Sequence, residues 1–166
     1  MPQGKPRKAQ VAQRRTAPSA TKPYTLFLTA SAEAVYKEYA RRAREAEERG
    51  DPTNAHCTAF NMLKETIKEH IPLNPIDKKY ALEGQLSNTF RIKKGRMRIC
   101  WIASSSLRVI CVLFISESLR KAGDVNDPYE TFARMVMSGQ FNDFFQQLGV
   151  KLPTMNRRPH VSLLPQ

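Results

Sequence analysis

At 166 residues the chain has room for one domain, large enough to fold without disulfide or metal staples. Its net charge of +12 points to a polyanionic partner, whether nucleic acid, an anionic membrane or an acidic protein, and composition does not choose among them. Cys57, Cys100 and Cys111 form an odd set without CxxC spacing, which argues against a disulfide framework or zinc ribbon and for a reducing, cytoplasmic setting.

Residues 1–23 form a basic tail. Half of the excess charge lies in Lys5, Arg7, Lys8, Arg14, Arg15 and Lys22, with Pro2, Pro6, Pro18 and Pro23 among them and no acidic residue before Glu33. Without an apolar period this segment is expected to be disordered, as a solvated extension or a non-specific nucleic-acid arm. Followed by Leu26-Phe27-Leu28 and Ala30, it loosely mimics a leader, but the apolar part is shorter than such a leader needs. The short apolar run of Tyr24 to Thr29 reads as a strand.

A helix follows from Ser31, as N-cap, to Gly50, with Val35, Tyr36, Tyr39, Ala43 and Ala46 on one stripe. Its Arg41, Arg42 and Arg44 alternate with Glu38, Glu45, Glu47 and Glu48, the pattern of a solvated face. Asp51-Pro52 predicts the cap and first residue of a second helix, whose Phe60, Leu63, Ile67 and Ile71 repeat at helical spacing. His56 and His70 are too few and wrongly spaced to hold a metal with Cys57, so neither metal nor cofactor is expected. Pro72 and Pro75 end the helix and open a loop through Tyr80 to Gly84.

Three strands come next: Thr89 to Lys94, Arg96 to Ile102, and Leu107 to Ile115. The third is almost wholly apolar, which predicts a central strand buried on both faces, and its run from Val109 to Ile115 is too short to span a bilayer. Asp127-Pro128 announces another helix with Tyr129, Phe132 and Val136 inward, stopped at Gly139. Phe141, Phe144, Phe145 and Leu148 make a short final helix. The expected fold is α+β in the order β-α-α-β-β-β-α, with a helical hairpin and C-terminal helices packed on a mostly antiparallel sheet. The domain spans residues 24–149, and residues 150–166 form a C-terminal tail.

The informative segment is Phe90 to Ile99. With Lys94-Gly95 as a two-residue turn, Arg91 pairs with Arg98 and Lys93 with Arg96, while Phe90, Ile92, Met97 and Ile99 make an apolar face. Four cations then share the other face, with cross-strand Cβ atoms about 5 Å apart. Like charges placed opposite one another weaken a hairpin by about 0.2–1 kcal/mol per pair, so the arrangement asks for an anion. Guanidinium groups suit phosphate, which they bind bidentately. Charged edge strands also serve merely to block edge-to-edge pairing. Beyond the apolar strand, Ser116-Glu117-Ser118-Leu119-Arg120-Lys121 is placed to bring Glu117, Arg120 and Lys121 toward the same patch, or only to decorate a loop.

At these positions the chain resembles the YhaV toxins of the YhaV/PrlF toxin–antitoxin systems. The resemblance runs from Leu73-Asn74-Pro75 through Arg91-Ile92-Lys93, Gly95-Arg96-Met97-Arg98, the apolar strand, Leu119-Arg120, Asp127-Pro128-Tyr129-Glu130-Thr131-Phe132 and Ser138-Gly139. It covers about residues 24–149. Differences are a tighter hairpin turn, the Trp101-Ile102 pair and the basic tail. The resemblance implies a RelE-like fold, endoribonuclease activity that arrests translation, and neutralisation by a PrlF-type antitoxin with an AbrB-like DNA-binding hairpin, the complex also binding operator DNA. The matched basic positions are Arg91, Lys93, Arg96, Arg98 and Arg120.

RNA carries its own nucleophile, so cleavage needs only a base, cationic donors to the phosphate and an acid for the leaving oxygen, with no metal. Arg91 and Arg98 are the expected phosphate grips, Glu117 or Lys93 the base, and Arg96 or Arg120 the group that assists departure. No His lies between His70 and His160, which argues against a paired-histidine mechanism. Lys94 and Lys121 are candidate RNA contacts, and Tyr80, Trp101 or Tyr129 candidate stacking partners for bases. Two other readings remain: a non-catalytic RNA- or ribosome-binding module, and an interaction subunit in which Phe141, Phe144 and Phe145 dock an antitoxin.

Overall fold

The computed structural model describes residues 22–117 and 127–153. Among them the strands form one sheet in the order β1-β4-β3-β2. Strand β1 (Thr25–Leu28) runs parallel to β4 (Val109–Ile115), whereas β2 (Phe90–Lys94), β3 (Met97–Ser104) and β4 are successively antiparallel. A parallel pair needs a crossover, and this one contains the helical hairpin α1 (Ala30–Glu48) and α2 (Ala55–Glu65). Helix α2 continues through a π turn at Thr66–His70 into the three-residue α3 (Ile71–Leu73). After the sheet come α4 (Pro128–Met137) and α5 (Asn142–Leu148). The expected α+β order is observed, and no helix among the described residues is long and apolar enough to cross a membrane.

Strand alternation splits the core into two layers. Ile92, Met97, Ile99, Trp101, Ile110 and Val112 meet Ala32, Tyr39, Leu63, Ile67 and Ile71 from the helical hairpin side. Cys100, Ile102, Cys111, Leu113 and Phe114 meet Phe132, Val136, Phe141, Phe145 and Leu148 on the other. Each fully buried large apolar side chain contributes about 1.5–3 kcal/mol. Strand β4 sits between the layers, which explains why its sequence lacks alternation. Its register with β3 shifts between Cys100 and Trp101, leaving Leu113 unpaired, so Leu113 and Phe114 both serve the second layer.

The helix starts differ from expectation for local reasons. Thr29, not Ser31, caps α1: its hydroxyl accepts from the Ala32 amide at 3.2 Å and donates to the Leu113 carbonyl at 3.3 Å, so one buried group ties helix to sheet. Asn54, not Asp51, caps α2, accepting from the His56 amide at 2.9 Å. Asp51 is already engaged in closing α1. Gly50 takes φ +76° and donates to Glu47, while Asp51 donates to Ala46 at 3.0 Å, a Schellman closure. The Asp127-Pro128 start of α4 is as expected, with the Asp127 carboxylate accepting from the Tyr129 amide at 2.9 Å.

Phe141 and Phe145 are enclosed in the second layer and half-buried Phe144 lies against Phe27, so these rings go to the domain's own core. Residues 150–153, placed by sequence in the C-terminal tail, lie against the domain: Val150 donates to the Phe145 carbonyl at 2.9 Å and the Lys151 carbonyl accepts from Asn88 at 3.2 Å. Of the tail expected to be disordered, residues 1–23, residues 1–21 lie outside the described residues, and near its end the Lys22 carbonyl accepts from Arg108 at 2.8 Å.

Candidate functional site

The β2–β3 hairpin turns at Gly95-Arg96, one residue later than expected. Gly95, with φ +56°, occupies the first central position, where a type II′ turn requires positive φ. The cross-strand partners become Phe90 and Trp101, Arg91 and Cys100, Ile92 and Ile99, Lys93 and Arg98, Lys94 and Met97. Moving the turn by one residue shifts each partner by two, which preserves faces. Arg91, Lys93 and Arg98 therefore still share one side. Only Lys93 and Arg98 now stand directly opposite; Arg91 lies across from buried Cys100 and diagonal to Arg98, about 7–8 Å away. One like-charge pair replaces two, a physical reason for this register. Arg96 leaves the face for the turn, and Lys94 lies on the opposite face beside buried Met97.

Arg98 is held by its own turn. Its Nη1 donates to the Gly95 carbonyl at 2.8 Å and to the Met97 carbonyl at 3.1 Å. Its backbone amide donates to the Ser116 hydroxyl at 3.0 Å, and its carbonyl accepts from the Ser116 amide at 2.9 Å. From the other side, the Tyr39 hydroxyl donates to the Ser116 carbonyl at 2.8 Å. The end of β4 is thus fixed beside Arg98, and exposed Glu117 follows at the next position. Arg120 and Lys121 lie outside the described residues.

Arg91 has a different anchor. Its guanidinium carbon is 5.6 Å from the centre of the Tyr129 ring, presented by the first turn of α4. Burial raises the Tyr129 phenol above its ordinary pKa, and the charges of Arg91 and Arg98 pull it back. Arg91 acts on the phenol through its charge and, more weakly, as a hydrogen-bond donor, although no contact of the hydroxyl reaches full hydrogen-bond geometry among the described residues. Burial also pushes the Cys100 thiol far up, against the same two arginines. Tyr129 was legible in sequence as an inward residue, but nothing in its spacing connects it to Arg91.

Among the described residues, no carboxylate forms an ion pair with Arg91, Lys93 or Arg98. Arg41 and Arg42 of α1 behave oppositely: Arg41 pairs with Glu38 and Glu45, and Arg42 with Glu38. These two are neutralised, whereas among the described residues the hairpin cations are not. Trp101 is removed from the candidate stacking residues because it is fully buried, with its indole N–H donating to the Pro75 carbonyl at 2.9 Å and Phe90 stacked at 6.1 Å. Tyr80 meets Trp101 edge-on at 5.4 Å, on the side of the sheet away from Arg91.

Residues 21–152 match the model of the YhaV toxins, described as a toxin with endonuclease activity, of toxin-antitoxin system. The chain belongs to the YhaV toxin family. Its partner class is therefore an antitoxin, and the hairpin, Ser116 and α4 all lie inside the matched span of this YhaV-family toxin. No curated protein matches the chain. Among solved structures, the toxin–antitoxin complex RelBE2 from Mycobacterium tuberculosis is similar at 16% identity and a TM-score of 0.43, covering 58% of this chain and 92% of that one.

Proposed function

We propose that this YhaV-family toxin is an endoribonuclease that cuts RNA on the Arg91, Lys93 and Arg98 face of the β2–β3 hairpin, by attack of the 2′-hydroxyl and without a metal. The observation that carries the reading is the unneutralised charge of that face. Three cations share it without a carboxylate partner among the described residues, although acidic residues neutralise Arg41 and Arg42 of α1. A phosphodiester supplies the missing anion, and Arg91 and Arg98 grip it from two differently anchored positions.

The chemistry follows from the substrate. A base removes the 2′-hydroxyl proton, the 2′-oxygen bonds to phosphorus, and the bond from phosphorus to the 5′-oxygen breaks as that oxygen takes a proton. The products are a 2′,3′-cyclic phosphate and a free 5′-hydroxyl. Cations fixed on a sheet stabilise the charge that grows on phosphorus without reorganising. Glu117, next to the Ser116 link with Arg98, is one candidate base, and Lys93 is the other. Arg96 or Arg120 assists the leaving oxygen, while Lys121 extends the RNA contact; Lys94 and Tyr80 lie on the other side of the sheet and take no part on this face. Cutting mRNA in the cytoplasm, free or on the ribosome, arrests translation. A PrlF-type antitoxin with an AbrB-like hairpin neutralises the toxin, and the complex binds operator DNA.

The test is incubation of purified protein with RNA, and with ribosomes translating it, in EDTA, followed by analysis of the new ends. New 2′,3′-cyclic phosphates that vanish in Arg91→Ala, with the fold retained, support the proposal. Binding without cleavage, or cleavage that EDTA abolishes, overturns it.

A further inference from the structure

We infer that Tyr129 is a positioning residue for the phosphate grip: its ring, fixed on the first turn of α4, is the platform that aims the Arg91 guanidinium along the hairpin face. This rests on the reading of that face as the phosphate site. An arginine on a strand surface has many rotamers, and holding one of them needs an anchor. A carboxylate would hold the guanidinium but also neutralise it and occupy its donors. An aromatic face orients the cation while leaving its charge and its N–H groups for phosphate. Arg98 has solved the same problem with the neutral carbonyls of Gly95 and Met97. Arg91 has the Tyr129 ring, at 5.6 Å.

The ring is itself placed with little freedom. Pro128 opens α4, the Asp127 carboxylate accepts from the Tyr129 amide at 2.9 Å, and the ring packs against the second core layer beside Phe132. Its hydroxyl is buried and makes no contact of full hydrogen-bond geometry among the described residues, Arg91 included. The aromatic face, not the hydroxyl, is the part that acts. Phenylalanine at this position should therefore serve as well as tyrosine.

The test measures the affinity of Tyr129→Phe, Tyr129→Leu, Tyr129→Met, Arg91→Ala and the Tyr129→Leu/Arg91→Ala double variant for an oligonucleotide with 2′-deoxy substitution at the cleavage site, over a range of salt. Thermal melts accompany it. Tyr129→Phe is expected to bind within about twofold of the parent. Tyr129→Leu is expected to lose roughly three- to tenfold, the scale of one cation–π contact, with a shallower salt dependence. The double variant should bind no more weakly than Arg91→Ala alone. Met fills the space without a π face, so Tyr129→Met gives the same reading should the Leu variant fold poorly. Parental affinity in Tyr129→Leu and Tyr129→Met, equal loss in Tyr129→Phe, or additive losses in the double variant would each overturn the inference. Unchanged binding and cleavage in Arg91→Ala would instead sink the phosphate site itself, and the inference with it.

Discussion

Arg98 and Ser116 are bonded in both directions through the backbone of the first, at 3.0 Å from amide to hydroxyl and 2.9 Å from amide to carbonyl. Because the Tyr39 hydroxyl also donates to Ser116, strands β3 and β4 and helix α1 meet at one small residue. Removing its hydroxyl leaves the Arg98 amide without that acceptor. Ser116→Ala is expected to lose about 1–2 kcal/mol in urea denaturation, and on the proposed reading RNA cleavage at saturating substrate should fall as well, because Glu117 follows Ser116 directly.

The two sets of arginines should separate in binding. Arg91→Ala and Arg98→Ala are each expected to weaken RNA binding and to reduce the log–log salt slope by about 0.7. Arg41→Ala, which removes a cation already paired with Glu38 and Glu45, should leave the slope unchanged. Filter binding over a salt series distinguishes them.

Glu38 gives an acid-limb prediction. Hydrogen bonds from Arg41 first, then Arg42, hold its carboxyl at about 2, below the ordinary 4.5. The native state therefore releases this proton more readily than the unfolded chain. Its stabilisation is fully present above about pH 4.5 and is lost as the pH falls through about 2. Glu38→Gln should remove that part of the slope, and thermal melts between those limits measure it.

Gly95 meets no heavy atom within 4 Å of a built Cβ, so replacement there tests backbone conformation alone, at φ +56°. Gly95→Ala is expected to destabilise by about 1–2 kcal/mol. Asn, which is enriched among non-glycine residues at positive φ, should lose less. Chemical denaturation of both variants checks the order.

The thiols should be inert in the folded protein. Cys57, Cys100 and Cys111 are buried, and burial pushes the Cys111 thiol up to about 12. Thiolate is the reactive form, so a disulfide reagent at neutral pH should label them slowly until denaturant is added. Since the unfolded chain loses the Cys111 proton near 9 and the folded one near 12, this group's contribution to stability declines as the pH rises between those values.

Much of this arrangement was readable from residue order. The unbroken apolar run at Val109–Ile115 marked a strand covered on both sides, and period two in Phe90–Lys94 separated cations from core. Register was not readable. Turns at Lys94-Gly95 and Gly95-Arg96 keep identical faces, and only the position of the positive φ and the count of like-charge pairs tell them apart. Trp101 shares the inward side with Ile99, yet its aromatic ring makes it a candidate for base stacking; inside, the Pro75 carbonyl satisfies its N–H. The meeting of Arg91 with Tyr129 joins a strand to a distant helix, and no local period records such a contact.

Among the described residues the parallel pairing of β1 with β4 joins the first strand to the last, with α1, α2, β2 and β3 synthesised between them. In a growing chain β1 waits until Val109–Ile115 has left the ribosome, and the layer that includes Phe132 and Tyr129 emerges later still. The cationic hairpin is local and zips early, whereas the sheet behind it and the ring beside Arg91 come last. The sheet of this toxin therefore closes only well after its first strand is made, an interval in which an antitoxin can meet the chain before its candidate site is complete.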